Sequence, residues 1–193
     1  MTEQAKKFAT IDDLLALPEG SRVELINGAI VPKEAVSFEH SDAQSSIAME
    51  IKGRFGKGGD DNHSGWWIVT EVLTNYDTHQ AYQHDLAGWR RSRVPNKPTG
   101  GPVNVRPDWV CEILSPSNWR TDTVTKFEVL RIHEVPNYWV MDVQHLELTV
   151  YRWSKDGFIV AQKAVPGQKA RLEPFSEFEF DISVLFGGDP ADA

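Results

Sequence analysis

The sequence predicts a mixed α/β protein (α+β mixed) with a β-hairpin near its N-terminus, and three observations predict it. Several segments alternate apolar and polar residues with a period of two and are rich in β-branched and aromatic side chains, as half-buried strands are. Two others carry residues at helical spacing: Ala43, Ile47, Ile51 and Phe55, then Lys126, Val129, Leu130 and His133. Between two short apolar runs lies Asn27-Gly28, whose residues tolerate the positive φ that a tight primed turn needs.

Taken in order, Thr10 can cap a short helix that Pro18 and Gly20 end. The hairpin follows, with residues 22–26 and 29–31 flanking the turn and Glu24 on its first strand. A longer helix is expected from Glu39 or Ser41 to Phe55, with glycines beyond its end. Residues 66–76 and 83–90 read as successive strands joined through Asp77-Thr78-His79, which puts Asp85 near the start of the second. Pro95, Pro98, Gly100, Gly101 and Pro102 make residues 91–107 an exposed, irregular loop. The strand around Trp109-Val110-Cys111-Glu112-Ile113-Leu114 comes next, then a Ser-Pro-Ser turn and a helix capped by Thr121 or Asp122 that reaches about His133. Residues 137–143, 146–153 and 158–164 read as three more strands, and the Phe-rich ending tucks onto the core. No repeat or compositional break divides the chain, so one domain over 1–193 is expected.

The totals exclude several classes. With 40% hydrophobic and 25% charged residues the composition is that of an ordinary soluble protein, and no apolar run approaches the roughly 20 residues of a membrane span. The first seven residues lead into an acidic amphipathic stretch and not into the apolar core of a signal peptide. The single cysteine, Cys111, excludes an internal disulfide and a cysteine-rich zinc cluster, and it fits a reducing cytoplasm. A net charge of -8 counts against a protein that coats nucleic acid. Arg90, Arg91 and Arg93 nevertheless cluster, either as a solvated surface or as a local nucleic-acid-binding patch.

The chemistry centres on Glu112. On a strand, Trp109, Cys111 and Ile113 share one side while Asp108, Val110, Glu112 and Leu114 share the other, and both sides are largely apolar. A carboxylate there, ionised and unpaired, costs several kcal/mol, so it needs a cation, a hydrogen-bond network or a metal. Lys126 is one candidate partner. A hard divalent cation needs a second carboxylate, and Asp108, about 13 Å along the same strand, is too far. Asp85 on the preceding strand is the natural choice, because paired strands lie about 4.8 Å apart. Glu24, His40 and Glu71 are accessory candidates that could complete an outer shell.

The runs His84-Asp85-Leu86-Ala87-Gly88-Trp89-Arg90 and Pro107-Asp108-Trp109-Val110-Cys111-Glu112-Ile113-Leu114-Ser115-Pro116-Ser117, followed by Asp122, Lys126 and Val135-Pro136-Asn137-Tyr138-Trp139-Val140-Met141-Asp142, resemble the Uma-two family. That family is restriction endonuclease-like and falls within the PD-(D/E)xK nuclease superfamily. The resemblance covers most of the chain and implies a mixed β-sheet flanked by helices. It implies that Asp85, Glu112 and the backbone carbonyl of Ile113 hold Mg2+ (or Mn2+), and that Lys126 polarises or positions the attacking water. Two departures from the superfamily pattern stand out: His84 replaces the proline before the first carboxylate, and Leu114 replaces the lysine two positions after Glu112, with Lys126 in its stead.

The expected function is therefore a magnesium-dependent endonuclease or phosphodiesterase acting on DNA, with Asp85, Glu112 and Lys126 as its catalytic residues. The alternative is a catalytically inactive protein of the same fold that binds or regulates. The aromatic-rich sheet and the resemblance favour a homodimer.

Overall fold

In the computed structural model, the residues described are 8–57, 65–116 and 119–190; the leader stretch 1–7, Ser117 and the glycines at 58 and 59 lie outside them. Ten strands and four α-helices are assigned among the described residues. Helix α1 (Ile11–Leu15) begins on a Thr10 capping box closed by Asp13. Strands β1 (Val23–Ile26) and β2 (Ala29–Pro32) form the hairpin, and Asn27 and Gly28 adopt φ of 49° and 71°, the primed turn that their sequence demands. Helix α2 (Phe38–Phe55) starts at a Ser37 cap, one residue before the earlier of the two expected starts, and buries Ala43, Ile47 and Ile51. Each buried isoleucine contributes about 2 kcal/mol by removal from water.

Strands β3 (Trp66–Asp77) and β4 (Gln80–Arg90) form one long hairpin; β4 starts three residues before the expected position because Thr78 and His79 alone make the turn, so Asp85 is mid-strand. Strand β5 (Trp109–Leu114) lies antiparallel to β4 and parallel to β6 (Asn137–Asp142), which continues antiparallel through β7 (Glu147–Ser154) and β8 (Gly157–Ala164). The eight-stranded sheet runs β2-β1-β4-β5-β6-β7-β8, with β3 also paired to β4. A two-stranded ladder of β9 (Lys169–Ala170) and β10 (Phe180–Asp181) precedes α4 (Ile182–Leu185).

The two faces of β5 meet different layers, as its alternation requires. Trp109, Cys111 and Ile113 pack with α2, α4 and the Phe-rich ending, including Phe175 and Phe180. Val110 joins Leu130, Val135, Tyr138 and Val140 beneath α3 (Phe127–Ile132).

The expected start of that helix is corrected. Helical backbone begins at Trp119, and residues Thr121–Lys126 form a π-helix before α3. Asp122 and Thr121 therefore cap nothing. The wider turn directs both Asp122 and Lys126 inward, where they are 4% and 2% exposed, and the Tyr138 hydroxyl donates to the Asp122 carbonyl at 2.9 Å. Two buried side chains four residues apart thus face the same point.

Strand β4 positions that point. On one edge it pairs with β1 at Ala81 and with β5 from Leu86 to Gly88. Residues 82–85 lie between the two partners, so the sheet forks there and frees backbone groups for side-chain partners. The Gln83 N–H donates to Glu24 Oε1 at 2.9 Å, and the Gln83 carbonyl accepts from Lys33 Nζ at 2.7 Å.

Candidate active site at the fork in strand β4

Continuing the registers across the fork makes Glu71, Asp85 and Glu112 neighbours on β3, β4 and β5. Thr70 pairs Leu86 and Val72 pairs His84, which brackets Glu71 opposite Asp85; Leu86 pairs Cys111, which sets Asp85 beside Glu112 one step past the last ladder pair. Opposite residues on antiparallel strands have Cα atoms about 5 Å apart. Three acids therefore stand in one rank. Glu71 holds a left-handed φ of 51°, unusual for a non-glycine residue and costing on the order of 1 to 3 kcal/mol.

Asp85 is saturated with donors. Its Oδ1 accepts from Lys33 Nζ at 2.9 Å, and its Oδ2 accepts from the Ile113 N–H at 2.8 Å and faces His40 Nε2 at 3.1 Å. Burial alone would raise its pKa, but the His40 hydrogen bond and the Lys33 charge hold it below the usual range. The other ring nitrogen, His40 Nδ1, is buried without a partner among the described residues.

Glu112 is the opposite case. Its Oε1 meets His84 Nδ1 at 2.5 Å and Lys126 Nζ at 3.3 Å. Burial pushes its pKa up to about 8 although Lys126 works the other way, and burial pushes His84 down to about 3. Burial thus favours the uncharged form of both partners, and the far nitrogen of His84 meets the Tyr76 hydroxyl at 2.7 Å.

Lys126 ties the helix side to the sheet. Its ammonium contacts Asp122 Oδ1 at 3.0 Å and Glu24 Oε1 at 3.1 Å besides Glu112. Burial opposes the charge, yet Asp122, Glu112 and Glu24 together raise its pKa, so it is a cation. Asp122 itself is raised to about 7, because burial outweighs the attraction of Lys126.

The structure brings Glu112 and Lys126 into contact and sets Asp85 beside them, with Glu24, His40 and Glu71 around the same fork. It does not bring Arg90, Arg91 or Arg93 there. Arg90 ends β4, about 16 Å from Asp85 along the strand, and Arg91 and Arg93 lie in the turn beyond it. Arg90 and Arg91 stack over Trp66 and Trp67, Arg91 also donates to the Gly56 carbonyl, and Arg93 pairs with Asp108 at 2.7 Å. Each has a local partner. The sequence reading missed Lys33, whose isolated position after β2 carries no pattern, and it misread the orientation of Asp122.

The donor set suits a hard divalent cation. At the fork the five carboxylates of Glu24, Glu71, Asp85, Glu112 and Asp122 meet two buried lysines, Lys33 and Lys126, and the half-exposed Arg22. The carboxylates outnumber the cations, and the charge of Asp85 adds to burial in raising the pKa of Glu112. The Ile113 N–H points to β4, so on an extended strand its carbonyl faces the same fork. Among the described residues no three His, Cys, Asp or Glu side chains converge as a preformed cage. Magnesium needs less than that: one or two carboxylates, with waters and substrate oxygens completing its shell.

The fold is a mixed sheet flanked by helices, and comparison with known proteins gives the family. The profile of Uma2, described as "Putative restriction endonuclease", matches residues 11–184. The chain belongs to that family. Among solved structures it is similar to the crystal structure of "a putative nuclease belonging to DUF820" from Anabaena variabilis, with 24% identity and a TM-score of 0.67 over 92% of this chain and 97% of that one. No curated protein matches. Among the described residues no helix is long and apolar enough to cross a membrane.

Proposed function

We propose that the fork is the active centre of a divalent-metal-dependent nuclease that hydrolyses DNA phosphodiester bonds. The observation that supports this most is the rank of Asp85 and Glu112 at the point where the β4–β5 ladder opens, with Lys126 Nζ 3.3 Å from Glu112 and too few protein cations to balance the acids. In this reading Asp85, Glu112 and the Ile113 carbonyl hold Mg2+ or Mn2+. The ion, when bound, neutralises charge developing on the phosphate and lowers the pKa of a water.

The chain's own residues do the rest. Lys126 spends its three N–H donors on Glu24, Asp122 and Glu112, the last being the longest contact. In this reading the N–H that Glu112 gives up on turning to the metal is the one offered to the attacking water or a phosphate oxygen, while Glu24 and Asp122 hold the ammonium in place. His84 fixes the carboxyl of Glu112, and His40 fixes that of Asp85. The reading includes a homodimer, drawn from the family likeness alone since the tryptophans of the sheet, Trp66, Trp89, Trp109 and Trp139, are buried in the core, and a cytoplasmic setting, supported by the single buried cysteine.

Plasmid and oligonucleotide substrates with Mg2+ or Mn2+ test it: cleavage is expected from the wild type and is lost in Asp85→Ala, Glu112→Ala and Lys126→Ala variants that stay folded. A second reading, a metal-binding protein of this fold that binds or regulates without cleaving, draws on the net charge of -8 and the engagement of all three arginines. Metal binding without cleavage of any nucleic acid would favour it.

A further inference from the structure

The first carboxylate of the fork is already occupied by a cation that belongs to the chain. Lys33 follows directly on β2, in a stretch without regular structure that leads to α2. Its side chain is 5% exposed, and its ammonium spans Asp85 Oδ1 at 2.9 Å, the Gln83 carbonyl at 2.7 Å and Glu71 Oε2 at 3.1 Å. All three are oxygens. A divalent cation that takes Asp85 as a ligand meets this ammonium there.

The neighbouring acids are not treated alike. Both oxygens of Asp85 are claimed by protein donors, whereas the named contacts of Glu112 fall on Oε1. Glu71 is bent into the same rank by its left-handed backbone and accepts from Lys33, Gln83 and Arg22 on Oε2 and from Gln44 on Oε1. A lysine that left Asp85 would therefore keep two partners, Glu71 and the Gln83 carbonyl. It can yield without becoming a buried, unpaired charge.

We propose that Lys33 is a built-in counter-ion of the metal-free protein, one that a divalent cation must displace from Asp85 in order to bind. The proposal rests on the reading of Asp85 and Glu112 as metal ligands and adds what that reading does not contain: metal affinity is set partly by competition with a residue of the N-terminal hairpin region. Retracted onto Glu71, the ammonium stays beside the vacated oxygen, where it can meet an anionic substrate oxygen. Lys33 is on this account a positioning residue that acts through Asp85.

The test is Mn2+ binding to the full chain, measured by titration calorimetry together with the metal-induced shift in melting temperature. Removing the competing charge in Lys33→Gln is expected to tighten Mn2+ binding roughly 10- to 100-fold, because one cation leaves a partly buried site that gains two charges. Lys33→Arg keeps the charge and is expected to stay within about threefold of wild type, which covers the case in which Lys33→Gln folds poorly. Unchanged or weaker binding in a folded Lys33→Gln variant would overturn the proposal, as would Lys33→Arg binding as tightly as the glutamine variant. Wild type against Glu112→Gln tests the underlying reading separately: if the wild type binds no Mn2+, or if Glu112→Gln binds as well as wild type, the metal site itself is wrong whatever Lys33 does.

Discussion

The two ends of the β4–β5 pair handle buried acids in contrasting ways. At one end Asp108, 4% exposed, accepts the Arg90 N–H at 2.8 Å on one oxygen and pairs with Arg93 at 2.7 Å on the other. One acid, one cation and one backbone donor close the account. At the other end the ladder stops, acids outnumber lysines, and the carboxyl of Glu112 keeps its proton to pH about 8. The same strands can therefore satisfy a carboxylate when structure alone is at stake. The surplus of acids at the fork is what the proposed metal site requires.

The largest expected effect that sharpens this contrast is on cleavage. Asp85→Asn or Glu112→Gln should reduce metal-dependent DNA hydrolysis by more than about 1000-fold, since each removes a ligand charge from the reacting centre. Asp108→Asn should leave the rate within about threefold. Equal losses at both ends, measured under single-turnover conditions, would erase the distinction.

Next in size is stability. Lys126→Met strands Glu24, Asp122 and Glu112 without their shared cation and should cost about 3 to 5 kcal/mol in denaturant unfolding at pH 8. Arg93→Met, at a site where the cation is 34% exposed and the Arg90 N–H still reaches the acid, should cost about 1 kcal/mol. Glu112→Gln should be neutral or stabilising in the metal-free protein, because it removes one of the crowded carboxylates. If Glu112→Gln instead costs as much as Lys126→Met, the pair is merely structural.

A smaller effect follows from pH. Glu112 and Asp122 have pKa values raised by folding, so the folded protein holds protons that the unfolded chain releases, and stability falls as pH rises from about 4.5 toward 8. His84 is lowered by folding and acts in reverse: stability is lost as pH falls from 6.5 toward 3. The two trends oppose each other below pH 6.5. Between 6.5 and 8 only the loss remains, at up to about 1.4 kcal/mol per pH unit for each excess proton. The metal-free wild type should thus lose melting temperature across that window more steeply than Glu112→Gln, and parallel curves would contradict the assignment. The smallest effect is expected on β8, where Lys163→Ala breaks an exposed pair with Glu147 and should leave the melting temperature of the protein unchanged.

Much of this was legible in the sequence wherever local pattern decides. The Asn-Gly turn, the spacing-four stripe of α2 and the alternation of β5 each gave an element whose faces pack as expected. Glu112 was legible because a carboxylate interrupts an apolar strand, and Lys126 because it lies on the same helical stripe as Val129 and Leu130. What escaped depends on tertiary context. Lys33 looks like any hairpin-edge lysine until the fork exposes the Gln83 carbonyl and Asp85 to it. Asp122 has the composition of a helix cap, and only the π-helical turn points it at Lys126. The stacking of Arg90 and Arg91 was not legible, because their partners, Trp66 and Trp67, are more than 20 residues away in sequence.

The site stands or falls on where a divalent ion binds. Crystals soaked in Mn2+ and measured near the manganese absorption edge should show one anomalous peak within about 2.5 Å of carboxylate oxygens from both Asp85 and Glu112, with the Ile113 carbonyl beside it. A peak bound elsewhere, or none at saturating Mn2+, would contradict the assignment of the fork.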